Sequence, residues 1–153
     1  MMTLDEILSA LQDMGDEKTR KSNIRQGING PQFGVKLGEL RKLAKKIKTN
    51  HSLGLRLWES DFFDARMLAV LLIEPASLNA TELDALVRSI PYERLADWVN
   101  AYIVAVHPDR EMLRQKWMHD THPMAARAGW NLTAQSVLRH AEGLDIHALL
   151  DRI

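Results

Sequence analysis

The 153-residue chain carries 20 Lys or Arg against 20 Asp or Glu, a formal net charge of zero, and no cysteine. That length suits one domain, 1–153, with a sizeable core, and the missing cysteine excludes disulfides, thiol nucleophiles and Cys-based zinc sites while fitting a reducing cytosol. The start is acidic and amphipathic, unlike a signal peptide, and the longest apolar run, 67–73, is far too short to cross a bilayer, so a soluble, cytoplasmic protein without a membrane partner is expected.

Helix signals follow one another with short breaks. Thr3 and Glu6 have capping-box spacing ahead of Ile7, Leu8 and Leu11. A second helix is predicted from Asp16 to about Arg25. Residues 27–34, with Gly27, Gly30, Pro31 and Gly34, read as a loop. The third helix covers 35–48, where Leu37, Leu40, Leu43, Ala44 and Ile47 form an apolar stripe. The fourth begins at His51 or Ser52 and runs through Trp58; the fifth starts at Asp61 and stops at Pro75. Helices near 80–89, 92–106 and 109–118 follow, then one after Pro123 and a tenth over 144–152. No alternating apolar run indicates a strand, so the domain is expected to be all-α.

Charge is unevenly placed. Residues 16–48 hold ten Lys or Arg against three Asp or Glu, while the first fifteen residues carry three negative charges. A neutral molecule with a basic end attracts phosphate or another acidic partner; a pair of solvated amphipathic helices is the plainer alternative.

A weak repeat underlies the helices. Alignment on Lys36, Arg66, Asp97 and Arg127 gives spacings of 30, 31 and 30. One residue later stand Leu37, Met67, Trp98 and Ala128, and seven later Leu43, Ile73, Val104 and Ala134. Helix pairs at this period stack into a right-handed superhelical solenoid, here of about five pairs, with one concave face. Equivalent positions then form a row, so Lys36, Arg66, Asp97 and Arg127 become one acid among three bases at the edge of the apolar stripe. Asp97 is then one half of an inter-helix ion pair with Arg66 or Arg127, a carboxylate placed for chemistry, or both, since the two roles are compatible.

The segments GPQFGVKLGELRKLAKKIK, LGLRLWESDFFDARMLAVLLIEP and ARAGWNLTAQ resemble the bacterial DNA alkylation repair proteins, HEAT-like repeat N-alkylpurine DNA glycosylases. The likeness runs from about residue 4 to the end and implies, as an expectation, a divergent or shortened member. It implies a basic concave face that holds duplex DNA, damaged or alkylated, by its backbone. It also implies excision of cationic N3- or N7-alkylated purines by hydrolysis of the N-glycosidic bond. Within the family's Trp-Asp-x-x-Asp motif, the second Asp falls on Asp97, and the family's Arg falls on Arg127. Trp130 is a candidate for the aromatic wall. Glu93 and Arg94 stand where the motif has Trp and its first Asp. Trp98 cannot replace that Trp, because one residue turns about 100° around a helix.

The chemistry explains why such residues suit the task. An alkylated purine is already cationic and leaves readily; the barrier lies in charge developing on the sugar. A carboxylate there stabilises that charge and orients water. Arg66 and Arg127 beside it would keep Asp97 ionised and grip flanking phosphates. Trp98 and Trp130 would add cation–π attraction of roughly 0.5–2 kcal/mol each, although Trp98, at stripe spacing, reads more readily as core and Trp130 equally as core. For phosphate contacts the candidates are Arg20, Lys21, Arg25, Lys36, Arg41 and Lys42, with Arg66. Lys45 and Lys46 fit a solvated face equally well, and Lys48 reads as a helix-end charge.

No cofactor is implied. The segment HDTHP at 119–123 reads as a polar turn, since a metal would need a third ligand from elsewhere, and no metal site is assigned. A non-catalytic HEAT-like module that binds DNA structure or a protein partner stays as the alternative, favoured by Glu93 and Arg94.

Overall fold

The computed structural model describes residues 2–143. Its helices are α1 (Leu4–Asp13), α2 (Glu17–Arg25), α3 (Leu37–Ile47), α4 (His51–Trp58), α5 (Phe63–Leu72), α6 (Ala80–Arg88), α7 (Glu93–Tyr102), α8 (Arg110–Trp117) and α9 (Pro123–Gly143). Two 3₁₀ turns, Pro75–Ser77 and Val104–Val106, complete the order, and there is no strand among the described residues. The fold is all-α, as the sequence pattern indicates. The expected tenth helix lies outside the described residues, as do Leu144, Leu149, Leu150 and Ile153.

Local chemistry sets the helix starts. Thr3, Asp16, Asn50 and Asn79 each accept a backbone N–H of the first turn on the side chain. The full capping box belongs to Asn79 and Glu82, whose side chains each take the other's backbone N–H. At Thr3 the hydroxyl accepts the Glu6 N–H and donates to the Glu6 carboxylate instead. The predicted start of the fifth helix at Asp61 is corrected: Asp61 has φ 69°, and the helix begins two residues later with Phe62 as its cap.

Packing follows from the stripes. α4 lies on α5 and α8 on α9, as antiparallel neighbours joined by short turns. The helices α3, α5, α7 and α9 touch in succession, so the row deduced from the thirty-residue spacing corresponds to consecutive neighbours. A connected cluster of buried apolar side chains runs from Ile7 to Leu132. Its middle is α5, which buries Phe63, Ala65, Met67, Leu68, Ala69, Val70 and Leu72. Such a helix, apolar nearly all round, has to sit inside the stack. Truncating Leu68, fully buried, to Ala would cost about 2–5 kcal/mol.

One buried acid organises the basic end. Asp64 is fully buried in α5, and its carboxylate accepts the backbone N–H groups of Phe33, Gly34 (3.3 Å) and Val35 (3.0 Å). The loop over 27–34 is thereby fastened onto α5, with Phe33 stacked on Phe62 at 4.4 Å. Gly34 has φ 79°, and a Cβ there would stand 2.7 Å from the Asp16 carbonyl, so a side chain would push α2 away.

Candidate nucleic-acid interface

Lys36 is the N-cap residue of α3 and is exposed. Thirty residues on, Arg66 is the one charged side chain α5 offers to the outside. It donates to the Trp58 carbonyl (2.9 Å) and to Asp61 (3.0 Å), and its guanidinium sits 5.5 Å from the Trp58 ring centroid. The left-handed turn at Asp61 returns that carboxylate over the first turn of α5, which captures Arg66. The expectation that Arg66 stands beside Asp97 is therefore corrected: it closes the α4–α5 turn.

Asp97 and Arg127 do meet. Arg127 Nε lies 2.7 Å from Asp97 Oδ1 and Nη2 lies 2.9 Å from Oδ2, a bidentate pair between α7 and α9. Glu93 adds a third acidic oxygen at 3.8 Å. The Asp97 hydrogen bonds, with the charges of Asp97 and Glu93, raise the Arg127 pKa above its ordinary value. The pair is open to solvent, with side-chain exposures of 53% for Asp97 and 40% for Arg127. Trp130, one turn further along α9, is 58% exposed.

The other motif position is occupied by a tether. Arg94 donates to the Asn23 side-chain oxygen (2.7 Å) and to Gln26 (3.4 Å), and packs 5.8 Å from the Phe63 ring centroid. It ties α7 to α2, the helix that carries Arg20, Lys21 and Arg25. Asn23 itself is buried and donates to Gln32 in the loop.

Across α2 and α3 the cations face outward. Arg20 pairs with Glu17 at 3.3 Å and Lys42 with Glu39 at 3.8 Å, both one helical turn away and exposed. Among the described residues Lys21, Arg25, Lys36, Lys45, Lys46 and Lys48 make no ion pair. The Asp16 carboxyl is held below its ordinary pKa by the Thr19 hydroxyl and backbone N–H, helped by the charges of Lys36 and Lys18.

Arg41 does more than present charge. Its guanidinium lies 5.5 Å from the Trp98 ring centroid and donates to the Tyr102 hydroxyl at 3.4 Å, so it reaches from α3 over α5 to α7. Trp98 is half-buried, donates its indole N–H to the Met67 carbonyl (2.9 Å) and packs on Tyr102 at 4.5 Å. Trp98 thus packs and tethers. Of these two rings the more open is Tyr102, at 40% exposure. A groove of about 540 Å³ runs between the C-terminal ends of α3, α5 and α7, lined by Arg41, Lys45, Lys48, Leu71, Ile73 and Tyr102 among others. Sequence reading missed Tyr102 and Asp64. The only local signal for Tyr102 is its place four residues after Trp98; Asp64 has none, because its partners lie some thirty residues back.

The segment 119–123 is a braced turn. Asp120 takes both Arg88 Nη1 (3.2 Å) and Nη2, plus the His122 N–H (2.8 Å), and Arg88 also holds Asp84 at 3.0 Å. The Arg88 hydrogen bonds, with that of His122, hold the Asp120 pKa at about 2. Trp117, fully buried, donates to Asp84 at 2.8 Å. His107, also buried, reaches the Leu78 carbonyl through Nε2 (2.8 Å) while Nδ1 accepts the Asp109 N–H, so both ring nitrogens have a partner. Among the described residues no group of three or more His, Asp or Glu is placed to hold a metal ion, and no helix is long and apolar enough to cross a membrane.

Comparison with known proteins gives this geometry a family setting. The model of the family described as DNA alkylation repair enzyme matches residues 7–152. An uncharacterized protein of Listeria innocua serovar 6a is 24% identical over 153 residues, covering 94% of this chain and 67% of its own length. Another from Listeria monocytogenes serovar 1/2a is 23% identical over 144 residues, covering 90% and 63%. One solved structure superposes with a TM-score of 0.80 at 26% identity, over 86% of this chain and 56% of the other. That protein is described as one of "a new family of proteins related to the HEAT-like repeat DNA glycosylases with affinity for branched DNA structures". The chain therefore spans about two thirds of the curated relatives and little more than half of that structure.

Proposed function

The chain belongs to the DNA alkylation repair enzyme family, and from that premise we propose that it binds DNA through the sugar–phosphate backbone, with a preference for branched DNA. The observation that carries this reading is the set of outward cations on α2 and α3, among which Lys21 and Arg25, with Lys36 at the start of α3, make no ion pair among the described residues. Lys36, Arg41 and Lys42 from α3, with Arg20, Lys21 and Arg25 from α2, neutralise phosphates without reading bases. The positive charge does not extend along the whole inner row, because Asp97 and Glu93 lie two helices away and take up Arg127. A face of that polarity grips a short stretch of backbone and suits DNA that turns away, as an arm of a branch does. The likeness to the structure described as having affinity for branched DNA supports the same choice.

Anisotropy titration of a linear duplex and a four-way junction over a salt series tests the proposal. Tighter binding to the junction, with affinity falling steeply as salt rises, is the expected result. Equal affinity for both DNAs would remove the branch preference, and a flat salt response would remove the backbone reading.

A second reading is supported by the exposed Asp97 beside Arg127, with Trp130 open on the next turn. Here Asp97 faces the sugar of a cationic N3- or N7-alkylated purine and stabilises the oxocarbenium-like state, while Arg127 holds a flanking phosphate. Against it, Arg127 already engages both Asp97 oxygens, and Arg94 is spent on α2. Release of 7-methylguanine from methylated duplex by the wild type and by Asp97→Asn decides. Release lost in the variant assigns a glycosylase with Asp97 at its centre; no release by either, with DNA binding intact, leaves the binding module alone.

A further inference from the structure

We propose that the groove at the C-terminal ends of α3, α5 and α7 holds an unpaired nucleotide of branched DNA, its base stacked on Tyr102 and its phosphates on Lys45 and Lys48. This rests on the DNA-binding reading above and names the feature of the DNA that the protein singles out.

Size and lining support the occupant. The groove, about 540 Å³, is within the range of small-molecule sites and far too small for a duplex. Three cations, Arg41, Lys45 and Lys48, line it and no acid does. Its floor is apolar, from Leu71 and Ile73. Cations over an apolar floor, with an aromatic wall, match the chemistry of a nucleotide, in which charge and flat base are separate parts.

The wall is prepared for stacking. Tyr102 is 40% exposed, which leaves part of its surface open to a base. Behind it, Trp98 packs at 4.5 Å and is itself pinned by the Met67 carbonyl. Arg41 bridges the two, 5.5 Å from the Trp98 centroid and 3.4 Å from the Tyr102 hydroxyl. A ring so held loses little freedom when a base stacks on it.

Lys48 adds an independent sign. It is the C-cap residue of α3 with φ 69° and ψ 177°, a backbone region that glycine enters freely and lysine does not. A lysine there is strained, and it lines the groove without an ion pair among the described residues. Strain of this kind is characteristic of sites where a side chain is needed for binding.

The experiment compares a blunt duplex with the same duplex carrying a short unpaired tail, by anisotropy. The wild type should bind the tailed DNA about 10-fold more tightly, as expected for one stacked base. Tyr102→Ala should abolish that difference; Tyr102→Phe, which keeps the ring and loses only the hydroxyl that Arg41 meets, should keep it. Lys48→Gly should weaken the tailed complex about 3-fold and at the same time raise the melting temperature, because the strain is relieved. A 2-aminopurine in the tail reads stacking in the wild type directly, through quenching on binding. Equal wild-type affinity for both DNAs, or an unquenched probe, overturns the nucleotide site while leaving backbone binding in place. Equal weakening of both DNAs by Tyr102→Ala also overturns it. Failure of the wild type to bind either DNA overturns the parent reading as well.

Discussion

The two ends of the molecule use the same residue types for opposite purposes. On α2 and α3, the cations other than Arg20 and Lys42 make no ion pair among the described residues, and the buried acid of that region, Asp64, serves only backbone N–H groups. From α6 to α9 three of the arginines are taken up by acids: Arg88 by Asp84 and Asp120, Arg114 by Glu111, Arg127 by Asp97 and Glu93. A guanidinium held in a bidentate pair ties helices together and has little left for a phosphate. Free lysines cost little to keep and attract polyanions. Local charge counts therefore reveal a binding surface only after paired charges are subtracted.

Attacking the basic end should have the largest effect. Replacing Lys36, Arg41, Lys42 and Lys45 together by Gln is expected to lower DNA affinity about 100-fold or more at low salt and flatten its salt dependence, with melting little changed. The same number of Arg or Lys changes on α8 and α9 should alter affinity far less, and a comparable loss there would end the contrast.

Removing the acid beneath that end comes next. Asp64→Ala strands three backbone N–H groups in or near the core and should destabilise the fold by about 3 kcal/mol, read from urea unfolding. It should also weaken DNA binding, since the loop before Lys36 loses its anchor.

Acidification sharpens the other side. The Asp120 pKa of about 2 lies below the ordinary carboxylate value, so its contribution is fully present above about pH 4 and is lost as pH falls towards 2. The melting temperature should drop over that window, and Asp120→Asn should flatten the drop while lowering stability at neutral pH.

The smallest effect is expected from the Asp97–Arg127 pair. Both side chains are open to solvent, so Asp97→Asn should change stability by less than about 1 kcal/mol in thermal unfolding. A small cost would leave any effect of this variant on excision attributable to chemistry and not to folding.

Much of the architecture was legible before any coordinates. Apolar stripes, capping residues and the thirty-residue period located the helices and placed α3, α5, α7 and α9 in one row, because these signals are local and each residue's face follows from its helix register. The period also brought Asp97 against Arg127, since equivalent positions on touching helices are neighbours. It misplaced Arg66, because a left-handed turn at Asp61 diverted that side chain to its own helix pair. The Trp98 indole could be read as core or as aromatic wall; its bond to the Met67 carbonyl decided for packing, and the more open of the two rings proved to be Tyr102.

By itself, then, the sequence determined the all-α class, the helix order, the basic stretch and the family resemblance, all of which depend on near neighbours and composition. Tertiary structure alone decided which charges are free and which are spent, how Asp64 fastens a loop some thirty residues away, and that Arg41, Lys48 and Tyr102 share one groove. The physical reason is range: helix formation is a matter of a few residues, whereas an ion pair or a groove depends on groups from distant parts of the chain whose separation is set only when the helices pack.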